Sequence, residues 1–375
     1  MKLFQQPTAI IHYDHISEFL DDYALCDSDY LLISKTIYTT FFQDRKLPCT
    51  VAFHSDFGKG EPDEAMLNAM LAHCRERKIH RIFAIGGGSV IDCAKILALQ
   101  GTADAYTYFQ NKIPLTRDKQ LIVLPTTCGS GSEVSRISIA QFPSLQSKLG
   151  LANDALYPDE AILIPELLST MNSYVFASSA IDALIHATES FLSAKSNCYT
   201  ELYSEKAIQL ILHGFQEIAE HGEEIRQQYL NDFLTASNYA GIAFGNTGTG
   251  SVHALSYPLS GTYHVNHGEA NYQLFYEVLK MYETLDTGGK LSRLQDLYAQ
   301  TLHVDSKDAF HAMDVLCSKL MAKKHLKDYG MRSEECISFT ETVLETQQRL
   351  LSNSYVPLSK EHILSIYQHV YEERA

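Results

Sequence analysis

The sequence lacks the features that would place the protein outside the cytoplasm. No apolar run approaches the roughly 18 to 20 residues that a membrane-spanning helix needs, so we expect no membrane partner. The first residues, MKLFQQP, contain neither a long apolar core nor a small-residue cleavage site, which argues against a signal peptide. The eight cysteines have no paired spacing and no CxxC, as is typical of reduced thiols. We therefore expect a cytoplasmic protein.

Positive charge is also in short supply. The chain has 30 Lys and Arg residues against 45 Asp and Glu residues, which leaves a formal net charge of −15. Such a chain repels phosphate backbones, so we expect no nucleic-acid partner. For the same reason an anionic substrate would need a local positive group to bind.

The length and composition are those of a globular protein with two domains. At 375 residues the chain is too long for one ordinary core, and its 45% hydrophobic residues argue against disorder. Short apolar runs alternate with helical patterns in the first half, as in a parallel sheet with helices on its faces. Three such runs suit buried strands: residues 30–34, 81–85 and 121–124. Helices are predicted from Pro62 and from Ser89 through Leu99.

Long helical patterns dominate from about Tyr174 onward. They cover residues 180–191 and 203–219, and clusters of glycine separate the later ones. We therefore predict a Rossmann-like α/β domain over residues 1–173 and an all-helical domain over residues 174–375.

Three consecutive glycines follow the second predicted strand, in the segment IGGGSVID. Backbone without Cβ atoms approaches a ligand closely, and the start of a helix offers unpaired N–H groups, so a pyrophosphate fits there. The alternative is a tight turn in which Ser89 caps the helix and Asp92 completes a capping box, and the two interpretations are compatible. Because position 91 is Ile, the segment is not the G-x-G-x-x-G fingerprint.

A second polar loop, PTTCGSGSE, follows the next predicted strand at residues 125–133. Hydroxyls and glycines at the carboxyl end of a parallel strand suit a phosphate, a ribose or a nicotinamide amide. An ordinary loop with a helix cap would look the same. Two such loops on adjacent strands favour ligand binding, because the crevice of an open α/β sheet lies there.

Histidines and one carboxylate in the helical half suggest a metal site. Asp182 and His186 are four residues apart and share one face of a helix, and His253 and His267 follow later. One carboxylate and three neutral imidazoles bind a divalent transition metal and leave a position open. With sixteen histidines in the chain, an Asp-x-x-x-His pair also arises by chance. His264 adds a further ligand or a polar supporting group.

Taken together, these segments resemble the iron-containing alcohol dehydrogenases. The landmarks follow in the family's order over nearly the whole chain: FG-x-x-EP, GGGSVID-x-AK, PTT-x-G-x-GSE, DAL-x-HA-x-E, HAL-x-x-P and HG-x-AN. Each motif alone is weak, whereas the ordered set is specific. The resemblance implies a dehydroquinate synthase-like architecture and an NAD(P)-linked, metal-dependent alcohol dehydrogenase.

The resemblance also implies roles for individual residues. It implies that Fe(II) or Zn(II) is bound by Asp182, His186, His253 and His267. It implies a pyrophosphate loop at Gly86, Gly87, Gly88 and Ser89. Further cofactor contacts are implied for Thr126, Thr127, Ser130 and Lys148. The candidate catalytic residues are His267, His264 and Tyr257.

Three positions depart from the family pattern. Where the family commonly has an Asp that holds the adenosine ribose, this chain has Ser34 and Lys35, so NADP is possible beside NAD. Tyr257 stands where many members have a second histidine near the nicotinamide, and its reference pKa of about 10 makes it a poorer acid–base near neutrality. His264 stands where many members have no histidine.

Three stretches narrow the resemblance to members that interconvert 4-hydroxybutyrate and succinic semialdehyde with NAD(H). They are residues 237–246, 262–272 and 345–357. The expected reaction is reversible hydride transfer, with a proton relayed through water and the cofactor ribose and through His264 or Tyr257. The carboxylate of such a substrate needs a positive partner, for which the candidates are Arg136, Lys148, His264 and Arg349.

Several alternatives remain open at this point. A related alcohol dehydrogenase acting on 1,3-propanediol or a primary alcohol such as butanol would differ only in the carboxylate site. A dehydroquinate synthase-like lyase would share the fold, metal and NAD but recycle the cofactor within one turnover. A third hypothesis is a binding protein without catalytic activity. We expect a homo-oligomer, and a dimer in particular, since dimers are common among enzymes of this size.

Overall fold

A computed structural model describes residues 2–58, 60–143, 147–286 and 288–372 of the chain. The chain divides into one unit formed by Gln6–Met171 and another formed by Met1–Gln5 with Asn172–Ala375. The sequence placed the division after residue 173 and assigned the first five residues to the α/β part, whereas the contacts group them with the helical part. Within the described residues, we find no helix with the length and apolarity to cross a membrane.

The unit Gln6–Met171 is built on a six-stranded parallel sheet, which confirms the predicted class. Its strands in chain order are β1 (Ala9–His12), β2 (Asp29–Ile33), β3 (Thr50–Phe53), β4 (Arg81–Gly86), β5 (Gln120–Pro125) and β8 (Glu160–Leu163). The order across the sheet is β1-β8-β5-β4-β2-β3, and every pairing is parallel. A separate antiparallel hairpin is formed by β6 (Ile137–Phe142) and β7 (Ser147–Ala152). The sequence did not predict this hairpin.

The central strands are apolar on both faces because both faces of the sheet are covered. Residues 82–86 of β4 and 121–125 of β5 are buried without interruption. Among the described residues of this unit, the α-helices are α1 (Ile16–Asp22), α2 (Lys35–Phe41), α3 (Glu64–Arg75), α4 (Gly88–Leu97) and α5 (Ala105–Phe109).

The start of α3 differs from the sequence prediction. The helix begins at Glu64, because the Asp63 side chain accepts a hydrogen bond from the Met66 amide at 2.8 Å and so caps it. Pro62 therefore precedes the helix. Met66 and Leu67 on this helix are buried, whereas Ala69 is exposed.

The other unit is helical, as predicted. Its ten α-helices in the described residues are α6 (Ser173–Leu192), α7 (Cys198–His221), α8 (Leu230–Thr247), α9 (Ser251–Tyr263), α10 (His267–Leu285), α11 (Gly289–Leu302), α12 (Ala309–Leu320), α13 (Glu335–Thr346), α14 (Gln348–Leu351) and α15 (Lys360–Glu372). Helix α6 is almost fully buried from Phe176 onward and packs against α7, α8 and α10. It is the central helix of this unit, which allows polar side chains on it to meet partners from several neighbours.

Candidate metal site and glycine loops

Three helices of the helical unit supply the side chains predicted to bind a metal. Asp182 and His186 lie one turn apart on α6. His253 stands in the first turn of α9, and His267 is the first residue of α10. Helix α10 begins there because the Asn266 side chain accepts a hydrogen bond from the Gly268 amide at 3.1 Å.

The structure brings all four of these side chains together. Each offers one ligand atom, and the four atoms lie within 4.8 Å of one another. His253 Nε2 is 3.0 Å from His186 Nε2, and Asp182 Oδ1 is 4.0 Å from His267 Nε2. Asp182, His186 and His253 are buried, whereas the His267 side chain is 33% exposed. The cluster is therefore enclosed on most sides and accessible at His267.

A glycine makes the close approach of α10 and α6 possible. A Cβ atom on Gly268 would lie 2.2 Å from the carbonyl oxygen of Ser178 and 3.3 Å from Asp182 Cβ. Only a residue without a side chain fits between these helices at this point. The glycine of the HG-x-AN motif thus brings His267 beside Asp182.

Two buried residues that we did not predict hold the cluster in place. The Asn271 amide nitrogen donates to Asp182 Oδ1 at 2.7 Å, and its carbonyl oxygen accepts from Ser256 Oγ at 2.5 Å. A Glu189 carboxylate oxygen lies 2.7 Å from His253 Nδ1. Both residues stand in the motifs DAL-x-HA-x-E and HG-x-AN, so a signal was present, but their partners are distant in sequence.

Neighbouring groups in the cluster favour the charged forms of Asp182 and His253. Burial acts to raise the pKa of Asp182, but the nearby imidazoles and the Asn271 amide outweigh it, so the pKa lies below its usual value. Burial acts to lower the pKa of His253, but Glu189 and Asp182 outweigh it, so that pKa is raised. A carboxylate that stays charged beside three imidazoles is a donor set suited to a divalent transition metal such as iron or zinc. The residues present therefore fit the implied ion.

The two other candidate catalytic residues lie differently with respect to this cluster. The ring of Tyr257, on α9, has its centroid 6.1 Å from that of His267. His264 ends α9 in the left-handed conformation with φ of 53° and is exposed. In the described part of the chain, its side chain makes no hydrogen bond, ion pair or ring contact.

The two loops predicted to bind the cofactor begin side by side in the α/β unit. Gly86 at the end of β4 pairs in register with Pro125 at the end of β5. A Cβ atom on Gly88 would lie 2.8 Å from Ser130 Cβ, and one on Gly87 would lie 3.3 Å from Thr127 Cγ2. The glycines therefore allow the loops to pack against each other as well as to approach a ligand.

The predicted capping box at the first loop is wrong. Helix α4 begins at Gly88, with Gly87 as its N-cap, so Ser89 lies inside the helix. The carboxylate of Asp92 accepts instead from Ser132 Oγ at 2.5 Å and from the Ile139 amide at 2.9 Å. It thus binds the second loop and the hairpin, while the Val90 and Ile91 amides at the start of α4 donate to the Gly87 carbonyl at 3.0 and 3.2 Å.

A buried lysine that we did not predict joins the same network. Lys95 is fully buried, and its Nζ donates to Ser132 Oγ at 2.8 Å, to Ser135 Oγ at 3.2 Å and to the Ile137 carbonyl at 2.6 Å. Burial lowers the pKa of Lys95 to about 8, although Asp92 acts in the opposite direction. Helix α4 is therefore connected by hydrogen bonds to the second loop and to the segment that follows it.

The cations that were candidates for cofactor or substrate contacts differ in what surrounds them. Lys148 on β7 forms an ion pair with Glu61 at 2.5 Å, and Arg136 forms one with Asp154 at 2.7 Å. Lys35 opens α2, with its Nζ 5.7 Å from the centre of the Phe53 ring. Arg349 on α14 is exposed and has no carboxylate partner among the described residues.

Comparison with known proteins places the chain in a family. Residues 14–165 match the model of iron-containing alcohol dehydrogenase, and residues 176–371 match the C-terminal model of the Fe-containing alcohol dehydrogenase family. The chain is 42% identical to 4-hydroxybutyrate dehydrogenase of Clostridium kluyveri over 99% of its own length and 100% of the relative's. It is 31% identical to long-chain-alcohol dehydrogenase 1 of Geobacillus thermodenitrificans over 80% and 76% of the two chains.

Solved structures share the fold. A 1,3-propanediol oxidoreductase superposes with a TM-score of 0.85 at 22% identity, over 99% of this chain and 100% of the other. A sulfoacetaldehyde reductase of Bifidobacterium kashiwanohense, solved in complex with NAD+, gives a TM-score of 0.86 at 22% identity over 98% of both chains. The two family models match residues in both units, and the matched range 176–371 covers the positions of all four clustered side chains. The chain therefore belongs to the iron-containing alcohol dehydrogenase family.

Proposed function

We propose that the protein is a cytoplasmic, homodimeric enzyme that interconverts 4-hydroxybutyrate and succinic semialdehyde with NAD(H). The substrate assignment rests on the 42% identity to 4-hydroxybutyrate dehydrogenase of Clostridium kluyveri, which extends over the full length of that relative. The clustered Asp182, His186, His253 and His267 support metal-dependent chemistry, and the family's name supports iron.

The residues of each unit have separate tasks in this scheme. Fe(II) or Zn(II) is held by Asp182, His186, His253 and His267. The cofactor is held by Gly86, Gly87, Gly88, Ser89, Thr126, Thr127, Ser130 and Lys148. A metal ion held there would supply Lewis-acid chemistry to a carbonyl oxygen, and a nicotinamide cofactor held by the loops would supply the hydride chemistry. Lys35, in place of a ribose-binding carboxylate, allows NADP as well.

Proton transfer is assigned to Tyr257 or His264. The position of the Tyr257 ring, 6.1 Å from that of His267, supports Tyr257, because a relay has to reach the substrate beside the metal ligands. The exposure of His264 and its lack of contacts in the described part of the chain support it less.

Binding of the substrate carboxylate is assigned to Arg349. Two of the other candidate cations, Arg136 and Lys148, already have carboxylate partners, whereas Arg349 has none among the described residues. Its positive charge acts on His253, where it opposes the rise in pKa. The segment that follows it is attached to the first turn of α9 by a hydrogen bond of 2.6 Å between Ser354 Oγ and Ser251 Oγ. An exposed guanidinium on this segment would discriminate against uncharged aldehydes.

The decisive experiment follows reduced-nicotinamide absorbance with the Fe(II)-loaded protein. Succinic semialdehyde is compared with butyraldehyde, each with NADH and with NADPH. We expect a strong preference for the semialdehyde, and equal rates would reduce the assignment to a general alcohol dehydrogenase. Product formation without net loss of NADH would instead indicate the lyase.

The carboxylate site is tested with Arg349→Met. We expect KM for succinic semialdehyde to rise about 10- to 100-fold, because a charged hydrogen bond contributes roughly 1.5 to 3 kcal/mol, with KM for butyraldehyde unchanged. Arg332→Met, at an arginine that pairs with Glu335, is the matched control. An equal loss on both substrates would exclude Arg349.

A further inference from the structure

Glu189 is a buried carboxylate beside the candidate metal site that contributes no ligand atom to the cluster. It lies on α6 and shares a face of that helix with Asp182 and His186, at spacings of seven and three residues. The side chain points at the beginning of α9. There it meets two backbone amides and one imidazole.

Both oxygens of Glu189 are occupied by these donors. Oε2 accepts from the Gly250 amide at 2.9 Å, and Oε1 accepts from the Val252 amide at 2.6 Å. His253 Nδ1 lies 2.7 Å from Oε2. A carboxylate held by two N–H groups can only accept from the imidazole, so the proton of the neutral His253 ring lies on Nδ1.

This arrangement determines which nitrogen of His253 faces the cluster. With the proton on Nδ1, the lone pair lies on Nε2, which is 3.0 Å from His186 Nε2 and 3.9 Å from Asp182 Oδ1. Nε2 is thus the atom among the other ligand atoms. A histidine that binds a metal through one nitrogen commonly donates its other N–H to a carboxylate, which fixes both the tautomer and the ring orientation.

The local backbone is shaped around the carboxylate. A Cβ atom on Gly250 would lie 3.2 Å from Glu189 Oε1 and 3.6 Å from Ser354 Cα. Glycine therefore leaves the room that the carboxylate needs at the start of α9. Of the two amides that Glu189 accepts from, one belongs to the N-cap Gly250 and the other to Val252 in the first turn, where backbone N–H groups lack a carbonyl partner within the helix.

We propose that Glu189 is a positioning residue that fixes the Nδ1–H tautomer of His253, presents Nε2 to the metal ion, and holds the first turn of α9 against α6. The inference rests on the proposed metal binding at Asp182, His186, His253 and His267. It adds a second task for α6, which supplies two ligands and also orients a third.

Glu189→Gln tests the proposal with almost no change in volume. The amide has one acceptor and one donor in place of two acceptors. In either orientation one backbone amide loses its acceptor. With its nitrogen beside His253, the glutamine amide also donates to Nδ1, which moves the ring proton to Nε2 and blocks that nitrogen as a ligand. We expect a 10- to 100-fold loss of affinity for Zn(II), on the order seen when outer partners of metal ligands are removed.

The readout is a competition titration of the metal-free protein with Zn(II) and a chromophoric chelator. Glu205→Gln, at a half-exposed glutamate of α7, is the matched control and should bind Zn(II) like the unchanged protein. Affinity of Glu189→Gln within twofold of the unchanged protein would overturn the proposal. If the unchanged protein binds no Zn(II), the metal site itself fails, which is a different outcome.

A second measurement needs no variant and remains decisive if Glu189→Gln does not fold. Nitrogen NMR of histidine-labelled, Zn(II)-loaded protein identifies which ring nitrogen carries hydrogen and which binds the metal. We expect His253 to show Nδ1–H and a metal-bound Nε2. The reverse pattern would overturn the proposal.

Discussion

The two units build their candidate sites from different parts of the chain. In the α/β unit, the site consists mainly of backbone, where glycines let two loops meet at the ends of β4 and β5. In the helical unit, it consists of side chains, where α6, α9 and α10 each contribute polar groups to one buried cluster. A backbone site is sensitive to any added Cβ atom, whereas a side-chain site is sensitive to the chemistry of single groups. Substitutions can separate these two kinds of dependence.

The largest effect is expected in the helical unit for Asp182→Ala. It removes the only carboxylate of the cluster and leaves three buried or partly buried imidazoles. Dividing a structural zinc site's roughly 10 to 16 kcal/mol among four ligands gives about 3 kcal/mol each, so we expect at least about a 100-fold loss of metal affinity. The loss of metal affinity is measured by the metal content after dialysis and by NADH-linked activity.

The matched control for this change is Asp308→Ala, at an exposed aspartate before α12. It should retain its metal. We expect NADH to bind to Asp182→Ala with ordinary affinity, because the glycine loops are unchanged. This result would show that the sites of the two units depend on different residues. Full metal content in Asp182→Ala would contradict the assignment of the cluster.

A pH-dependent effect of similar size is expected in the α/β unit from Lys95. Its pKa is lowered to about 8 from a usual value of 10.5 by burial. Between these pH values the unfolded chain keeps the proton and the folded chain loses it, so the free energy of unfolding rises with pH in this window. Below pH 8 and above pH 10.5 the lysine does not change the free energy of unfolding as the pH changes, because its protonation is the same in the folded and unfolded chains.

Urea unfolding of the unchanged protein and of Lys95→Met measures this contribution. At 1.36 kcal/mol per pH unit over about 2.5 units, the unchanged protein should gain about 3 kcal/mol relative to the variant. Taking the difference between the two proteins removes the contribution of other titrating groups. A constant difference from pH 7 to 10.5 would show that Lys95 keeps its ordinary pKa.

A smaller effect is expected for Gly88→Ala, which tests the backbone site directly. The new Cβ atom would lie 2.8 Å from Ser130 Cβ, and such overpacking costs roughly 1 to 3 kcal/mol. We expect NADH affinity, measured by fluorescence titration, to fall by about 5- to 100-fold while Zn(II) affinity stays unchanged. Gly87→Ala should be milder, because its Cβ atom would lie 3.3 Å from Thr127.

The double variant Gly88→Ala with Ser130→Gly provides the control. Removing the Ser130 side chain makes room for the added methyl group, so part of the lost affinity should return. If the double variant binds NADH more weakly than Gly88→Ala alone, Ser130 contributes more as a cofactor contact than it costs as an obstacle.

The same contrast explains what could be predicted from the sequence. The strands β2, β4 and β5 were recognisable as apolar runs, and Asp182 with His186 as a pair at helical spacing. The strand order and the hairpin β6–β7 were not recognisable, because pairing depends on contacts between distant segments.

Residues that support the sites were missed for a related reason. Glu189 accepts from backbone amides about 60 residues away, and any residue type could supply those amides. Asp92 looked like the end of a capping box, but its partners Ser132 and Ile139 lie 40 and 47 residues further along the chain. Local spacing identifies a residue that acts on its own helix, and it does not identify one that acts across the fold.

The smallest effect is expected where the sequence pattern and the structure diverge most. His264 was a candidate proton relay, yet its side chain is exposed and makes no hydrogen bond, ion pair or ring contact in the described residues. We expect His264→Gly to change kcat less than about threefold, far below the 10²- to 10⁴-fold contribution of a general acid or base. Because residue 264 has φ of 53°, glycine also removes a left-handed strain, and the melting temperature should rise slightly. Tyr257→Phe is the paired variant, and a kcat loss of tenfold or more in it alone would assign the relay to Tyr257. A kcat loss of tenfold or more in His264→Gly would instead assign the relay to His264.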